Sequence, residues 1–578
     1  MTLTALDWGL IAAYFLASLF IGLHYSRRAG RDVAEYFLSG RRLPWWLAGT
    51  SMVATTFAAD TPLAVAGLVA RNGVAGNWIW WNGALGGMLT VFFFARLWRR
   101  AGILTDVEFA ELRYAGKPAA ILRAFRALYL GVPINCVIMG WVNLAMVKIL
   151  AVTLGYSRLT AVLVSLAITG FYSAVSGLWG VVATDFFQFV FAMVGTIALA
   201  WFALRLPEIG GLEGLRDRLP PETFAFLPRV GDDASAGASL ALPAAAFFAY
   251  VGVQWWASWY PGQEPGGGGY VAQRMMSARD ERHSLLASLW FTIAHYCVRP
   301  WPWILVGLAS LVLYPDLADK EAGYAMVMRD HLPPGWRGLL LAAFFAAYMS
   351  TIATQLNWGT SYVVNDVYRR FVRRDADERH YVRVSRATTV ALMLTSAVVT
   401  LLLESIRQAW EFVLESGAGI GLVLILRWYW WRVNAWSEIG AMAAAAAAFA
   451  AVRTFTSLAF PHSLLLVVSV TTAAWLAVTL LTPPEPEAHL VAFYRRVRPD
   501  GPGWRPIARA AGGPAPASIR GLLLAWLAGA LLVYSCLFGL GSVLFGRYWT
   551  GLAWFVAAAA SLTVIYRAMV RRGWSALL

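Results

Sequence analysis

Asp60 stands near the middle of Trp45 to Gly73, WWLAGTSMVATTFAADTPLAVAGLVARNG, a stretch long enough to cross a bilayer and otherwise made of apolar and small residues. A carboxylate at the bilayer midplane costs at least about 2.5 kcal/mol on the most lenient insertion scale, so it faces a water-filled or protein-lined pathway and not lipid. Other chemically able side chains also lie inside apolar runs: Thr184-Asp185, the adjacent hydroxyls Ser350 and Thr351, and His295 with Arg299. Each has two readings. Asp185 coordinates a cation or carries a proton; alternatively it is a hydrated carboxylate paired with an arginine such as Arg274. Arg299 receives an anionic partner, whether a carboxylate solute or Asp60; alternatively it is tied to another protein carboxylate or to unwound backbone around Pro300 and Pro302. Adjacent hydroxyls in a span by themselves mean helix packing or a bond back to a carbonyl one turn earlier. Trp410, beside Glu411 and Glu415, is either a lid that stacks on a solute ring or an interfacial anchor. Intramembrane catalysis would need a dyad or metal cluster, and the seven histidines form no ligand spacing such as HExxH.

These residues need a membrane scaffold to position them, and the composition provides one. The 578 residues are 59% hydrophobic and 14% charged, with a mean hydropathy of +0.59, which excludes a soluble globular protein. Cys136, Cys297 and Cys536 lie in apolar runs and give no disulfide framework. The first segment lacks a basic leader and a cleavage site, so it reads as a retained span. Spans of about 20 residues are expected near 5–25, 42–71, 75–98, 122–153, 157–178, 180–206, 241–260, 283–314, 336–368, 381–404, 407–430, 432–454, 463–482, 519–546 and 550–569, about fifteen in all.

The formal net charge of +15 arises between those segments, not along one face of a soluble domain, so it points to the membrane and away from nucleic acid. Arginine-rich connections, among them Arg274 to Arg282 and YRRFVRRDADERHYVRVSR, follow odd-numbered spans. The positive-inside rule then puts the N-terminus outside and the C-terminus inside. Tryptophans at segment ends, such as Trp45-Trp46, Trp80-Trp81 and Trp428 to Trp431, read as interfacial belts. The Pro/Gly-rich basic linker 483–518 reads as disordered or lying on the anionic inner leaflet.

Four ordered motifs carry a family resemblance. DVAEYFLSGRRLPWWLAGTSMVATTFAADTPL, SGLWGVVATDFFQF at 176–189, YVAQRMMSARDE at 270–281 and FAAYMSTIATQLNWGTSYVVNDVYRR at 345–370 resemble, in order and spacing, segments of the sodium:solute symporter family. The resemblance spans roughly residues 5–480. It implies an all-α polytopic membrane protein with two inverted five-helix repeats, leucine-transporter-like, plus peripheral helices. The parts would be an N-terminal helix and entering segment (1–41), the first repeat (42–206), the second repeat (241–430), peripheral helices (431–482), the linker (483–518) and a C-terminal helical pair (519–578). In such folds the first helix of each repeat is broken near the midplane. Here the breaks fall around Ala54 to Ala59 and at PGQEPGGGGY, 261–270.

Sodium is a hard ion, satisfied by several neutral oxygens. The family's sodium site, carried onto this chain, comprises the carbonyls of Ala54, Phe57 and Ala347 and the hydroxyls of Ser350 and Thr351. Thr184 and Asp185 fall on a second cation or proton site, while Asp60, Thr61, Trp80, Arg299 and Trp410 are the candidate solute contacts. The resemblance implies a sodium-coupled symporter, not an enzyme, that imports a small organic solute (sugar, polyol, amino acid or carboxylate) across the cytoplasmic membrane, with Na+ as coupling ion and no cofactor. Proton coupling on the same fold and a non-transporting sensor are the alternatives.

Overall fold

The computed structural model describes residues 3–29, 38–175, 178–228, 243–258 and 265–571. Among them the structure is helical, the one β-type contact being an isolated bridge between Leu43 and Ala278. In chain order the principal helices are α1 (Ala5–Ala29), α2 (Trp45–Thr56), α3 (Asp60–Asn72), α4 (Val74–Ala101), α5 (Gly116–Leu154), α6 (Arg158–Val175), α7 (Leu178–Leu204), α8 (244–257), α9 (Gly269–Ser277), α10 (Glu281–Leu313) and α11 (Trp336–Val372). They continue through α12 (Glu378–Leu402), α13 (Ile406–Ser416), α14 (Ile420–Tyr429), α15 (Ala435–Phe455), α16 (His462–Leu481), α17 (Glu487–Val497), α18 (Arg520–Leu544) and α19 (Tyr548–Arg571).

Among the described residues, ten helices are each long and apolar enough to cross a membrane, or twelve if the bent pairs α2–α3 and α13–α14 each count as one span. All fifteen expected positions are helical, but α1 and α6 have shorter described apolar stretches, Ala5–Ser18 and Arg158–Ala167, and α8 is short.

The α2–α3 break has a local cause. Pro62 has no N–H to give to Ala58, so a continuous helix is interrupted there, while a proline is tolerated in the first turn of the new helix. Phe57 leaves the helical region with φ −88° and ψ 66°, and α3 sets off at 60° to α2. The freed carbonyls find other donors, as buried helix ends require. Thr61 Oγ1 donates to Thr56 O at 3.2 Å, and Thr351 Oγ1 donates to Thr55 O at 3.1 Å. The second bend, 52° between α13 and α14, was not expected from the sequence. It turns on Gly419, whose φ of 87° and close approach to Thr471 leave no room for a side chain.

The glycine run is only partly described, since 259–264 lie outside the described residues. Its later part threads through the core: Trp98 Nε1 donates to Gly266 O at 2.7 Å and Gly269 N donates to Asp106 Oδ2 at 3.0 Å.

Three expectations about the periphery are corrected. Trp80, Trp81 and Trp428 are buried, so these are core and cavity residues, whereas Trp45 and Trp46 are exposed as a belt requires. Arg274 is buried too and is no leaflet arginine. Residues 483–518 are not disordered; they fold against the helical core. Trp504 Nε1 donates to Trp428 O at 2.7 Å, the Trp504 ring lies 4.9 Å from the Arg113 guanidinium, and Asp500 pairs with Arg96 at 3.1 Å. Arg113 in turn caps the carbonyls of Arg427, Trp430, Trp431 and Val433, which gives the aromatic 427–438 turn a structural role. The C-terminal pair packs on itself, and α18 also packs on α4 through Trp526 Nε1 to Leu85 O (2.9 Å) and Tyr534 OH to Trp81 O (3.0 Å).

Candidate functional site

Two polar centres hang on the broken helix. The first joins α2, α7, α9 and α11. Asp185 is fully buried and accepts from Ser51 Oγ at 2.6 Å on one oxygen and from Ser350 Oγ at 2.5 Å on the other. Arg274 completes the cluster, with Nε 3.3 Å from Ser51 Oγ and Nη2 3.4 Å from Thr55 Oγ1. Asp185 therefore shares Ser51 with Arg274, the arginine named for it in the ion-pair reading, and is hydrogen-bonded to Ser350. Ser350 and Thr351 diverge by one helical step. Ser350 faces Asp185 while Thr351 faces the break.

Of the remaining expected sodium ligands, Ala54 lies in the last turn of α2, Phe57 caps that helix at the break, and Ala347 is buried one turn before Thr351. Ala54 O already accepts from Phe57 N at 3.0 Å. The side chain of Thr184 lies outside what is described. Ser51 and Thr55 were missed, although two hydroxyls four residues apart on one helix face were visible in the sequence.

The second centre is a cavity of about 70 Å³ on the other side of the break. It gathers all five candidate solute residues, Asp60, Thr61, Trp80, Arg299 and Trp410, and borrows Thr55 and Thr351 from beside the first centre. Trp141, Tyr270, His295 and Gln355 also line it. Of these Gln355 follows Thr351 by four residues and was findable, whereas Tyr270 is placed by the loop before α9 and was not.

Hydrogen-bond roles in this cavity are fixed by elimination. Arg299 only donates. Its Nη1 gives to Val53 O at 3.2 Å and Thr56 Oγ1 at 3.1 Å, and its Nη2 is 3.3 Å from His295 Nε2, which must accept. His295 is therefore the neutral tautomer with hydrogen on Nδ1, which donates to Thr56 Oγ1 at 3.1 Å. That hydroxyl spends its own hydrogen on Met52 O or Val53 O, at 3.0 and 2.9 Å. Arg299 is thus bound to the last turn of α2. Asp60 Oδ1 and Gln355 Oε1 are buried without a hydrogen-bond partner.

Two charged clusters tie together helices that carry lining residues. On one side Glu321 packs against Gly67 of α3, pairs with Lys148 at 2.7 Å and accepts from Ile406 N (3.2 Å) and Arg407 N (3.0 Å), so it caps α13, which carries Trp410. Burial alone would raise its carboxyl, but Lys148 and those amides outweigh burial and hold it below the usual glutamate range. On the other side Arg123 pairs with Asp366 (2.5 Å), Glu111 (2.6 Å) and Glu108 (3.4 Å), and Arg370 pairs with Glu111 at 3.0 Å.

A helix broken between a buried polar cluster and a cavity resembles the discontinuous helices on which secondary transporters build their sites. The sequence model of the sodium:solute symporter family matches residues 36–447. The chain belongs to that family. As a sodium:solute symporter it is a multi-pass membrane protein that couples to Na+ and carries a small solute. It is 26% identical over 460 residues to the sodium/glucose cotransporter of Vibrio parahaemolyticus, an alignment covering 74% of this chain and 81% of that protein. With the sodium/mannose cotransporter of Bos taurus it shares 27% over 484 residues, 75% of this chain and 76% of the other. A Na+-coupled sialic acid symporter solved in a substrate-bound outward-open state overlays with a TM-score of 0.67 at 19% identity, over 84% of this chain and 99% of that one, a likeness of fold. The expected leucine-transporter-like architecture is therefore the one present. The C-terminal pair lies beyond the family match.

Proposed function

We propose that this symporter imports a small organic solute by alternating access, with Na+ bound where α2, α7 and α11 meet and the solute in the cavity beside it. The observation that carries this reading is the contact between neighbouring hydroxyls and both centres: Ser350 bonds Asp185, and Thr351 bonds the last turn of α2 at the cavity wall. An ion that draws Ser350, Thr351 and the carbonyls of Ala54, Phe57 and Ala347 together orders the cavity wall. Sodium and solute then tighten each other by the same factor. Thr184 and Asp185 hold a second cation or a proton on the same path. Inward movement of one positive charge gains about 2.3 kcal/mol per 100 mV of membrane potential.

The alternation of arginine-rich connections supports residence in the cytoplasmic membrane with the N-terminus outside and the C-terminus inside. The glucose and mannose relatives support a solute of sugar-like size.

Thermal unfolding of the purified protein in sodium and in potassium tests the coupling. Binding at 100 times its Kd stabilises by about 2.7 kcal/mol, so the wild type gains stability in sodium only, and Ser350→Ala with Thr351→Ala loses that gain. An unchanged sodium response in the double variant would refute the site. A response to pH alone, alike in both salts, would favour proton coupling.

A further inference from the structure

We propose that residues 483–518 form an inhibitory clamp: they hold the connection between α4 and α5 in its closed position and slow opening of the solute cavity on their own side of the membrane. This rests on reading that cavity as the transport site. One face of the connection, residues 102–115, joins the helices that run down from the cavity. Asp106 accepts from Gly269 N at 3.0 Å and from Tyr362 OH, so one buried carboxylate links α9 to α11. Tyr270, next to Gly269, and Gln355, about two turns before Tyr362, line the cavity itself. Thr105 Oγ1 donates to Asp366 at 3.2 Å, beside the ion pairs that Arg123 makes with Asp366, Glu108 and Glu111. A path from the cavity past Tyr270 to this side parts α9 from α11, and that movement breaks the pair of bonds to Asp106.

The clamp grips the other face of the same connection. At about 100° per residue, Phe109 and Arg113 point away from Glu108 and Glu111. Both are fully buried; Phe493 lies 5.8 Å from the Phe109 ring and 5.4 Å from the Arg113 guanidinium, and Trp504 covers Arg113 at 4.9 Å. Glu485 accepts from Ala115 N at 2.8 Å and from Ala435 N at 3.1 Å, and Asp500 pairs with Arg96 of α4 at 3.1 Å. The connection is thereby tied, from the end of α4 to the start of α5, to a segment that lies beyond the 36–447 family match. A contact shifts an equilibrium only by as much as it differs between the two states. Displacing the connection would draw Phe109 and Arg113 from under the rings and Ala115 from Glu485, so the closed position alone keeps the full set.

The test is thiol labelling of the full chain in lipid vesicles by a charged methanethiosulfonate. Cys136→Ala, Cys297→Ala and Cys536→Ala clear the background, and Gln355→Cys provides a thiol in the cavity. The reagent is applied from the side that carries the C-terminus, to which α18 and α19 return the chain after 483–518, or from the opposite side. Trp504→Ala speeds labelling from the C-terminal side at least about fivefold and slows it from the opposite side, because the cavity then spends more time open toward the former. Glu485→Gln, which weakens one bridge and keeps both rings, gives the same pair of changes at about twofold, and decides the question if Trp504→Ala does not fold. Faster labelling from both sides would mean general loosening and overturn the clamp, as would unchanged rates. Labelling indifferent to sodium but faster from the C-terminal side alone in Trp504→Ala upholds the clamp while overturning sodium coupling; labelling that sodium slows and Trp504→Ala leaves unchanged does the reverse.

Discussion

The two centres on the broken helix differ in how completely they are satisfied. Around Asp185 both carboxylate oxygens take hydroxyl donors, and Arg274 holds Ser51 and Thr55 from the far side. Across the break, Asp60 keeps one oxygen without a partner and Gln355 does the same. A saturated cluster of short bonds is a place where a small ion can exchange for protein donors with little rearrangement. A cavity with buried acceptors left open is incomplete until a larger molecule brings donors, since an unpaired buried polar group costs about 1–3 kcal/mol. The proposed assignment of ion and solute to the two centres rests on this difference, which lies in the hydrogen bonding more than in the residue types, because each centre has an aspartate, an arginine and at least one threonine.

The largest effect should come from the saturated side. Asp185→Asn removes the charge that balances Arg274 and the acceptor shared by Ser51 and Ser350. Breaking one partner of a buried pair costs about 3–5 kcal/mol, so sodium affinity should fall by about 100-fold or more, while solute affinity measured in saturating sodium recovers toward that of the wild type. Sodium titrations at fixed solute check this, and an equal loss of both affinities at saturating sodium would dissolve the distinction between the centres. The next effect belongs to the open side. Trp410→Ala strips a ring from the cavity and should weaken solute binding by about tenfold, with the sodium response in the absence of solute unchanged. A loss of that sodium response would show Trp410 to be part of the scaffold shared by both centres.

The sequence made one centre far more legible than the other. Asp60 is conspicuous because a midspan carboxylate needs an explanation of its own, and all five solute candidates do line one cavity. Arg274 had two readings, an inner-face loop arginine because of RMMSARDER and a partner for Asp185, and nothing local chooses between them; burial beside the Asp185 cluster favours the second. Position along a span cannot distinguish an interfacial tryptophan from a cavity wall, which is why Trp80 and Trp81 resembled a belt. The 483–518 segment failed on composition. Its prolines and glycines suggested disorder, but Phe493 and Trp504 stack 5.3 Å apart and cover Arg113, an anchorage that only tertiary contact supplies. The α2–α3 break was legible through small residues, whereas the α13–α14 bend depends on Gly419 fitting against Thr471.

The smallest effect should come from the brace that serves the open centre from outside it. Glu321 caps α13 one turn before Trp410 and has a folded-state pKa below its ordinary 4.5. A lowered carboxyl contributes stability that is fully present above its unfolded pKa and is lost as pH falls through the folded value. Thermal stability should therefore decline on acidification below about pH 4.5, and Glu321→Gln should remove part of that decline. Lys148 keeps Asp319 at 2.8 Å in the variant, so the cost at neutral pH is limited to the weakened cap, about 1 kcal/mol or 1–2 °C in Tm. Solute affinity should drop about two- to threefold because the lid helix is held less firmly, with sodium affinity in the absence of solute unmoved. If Glu321→Gln instead lowered sodium affinity as much as solute affinity, the cap would brace α3 and α2 together, and the two centres would answer to one mechanical element.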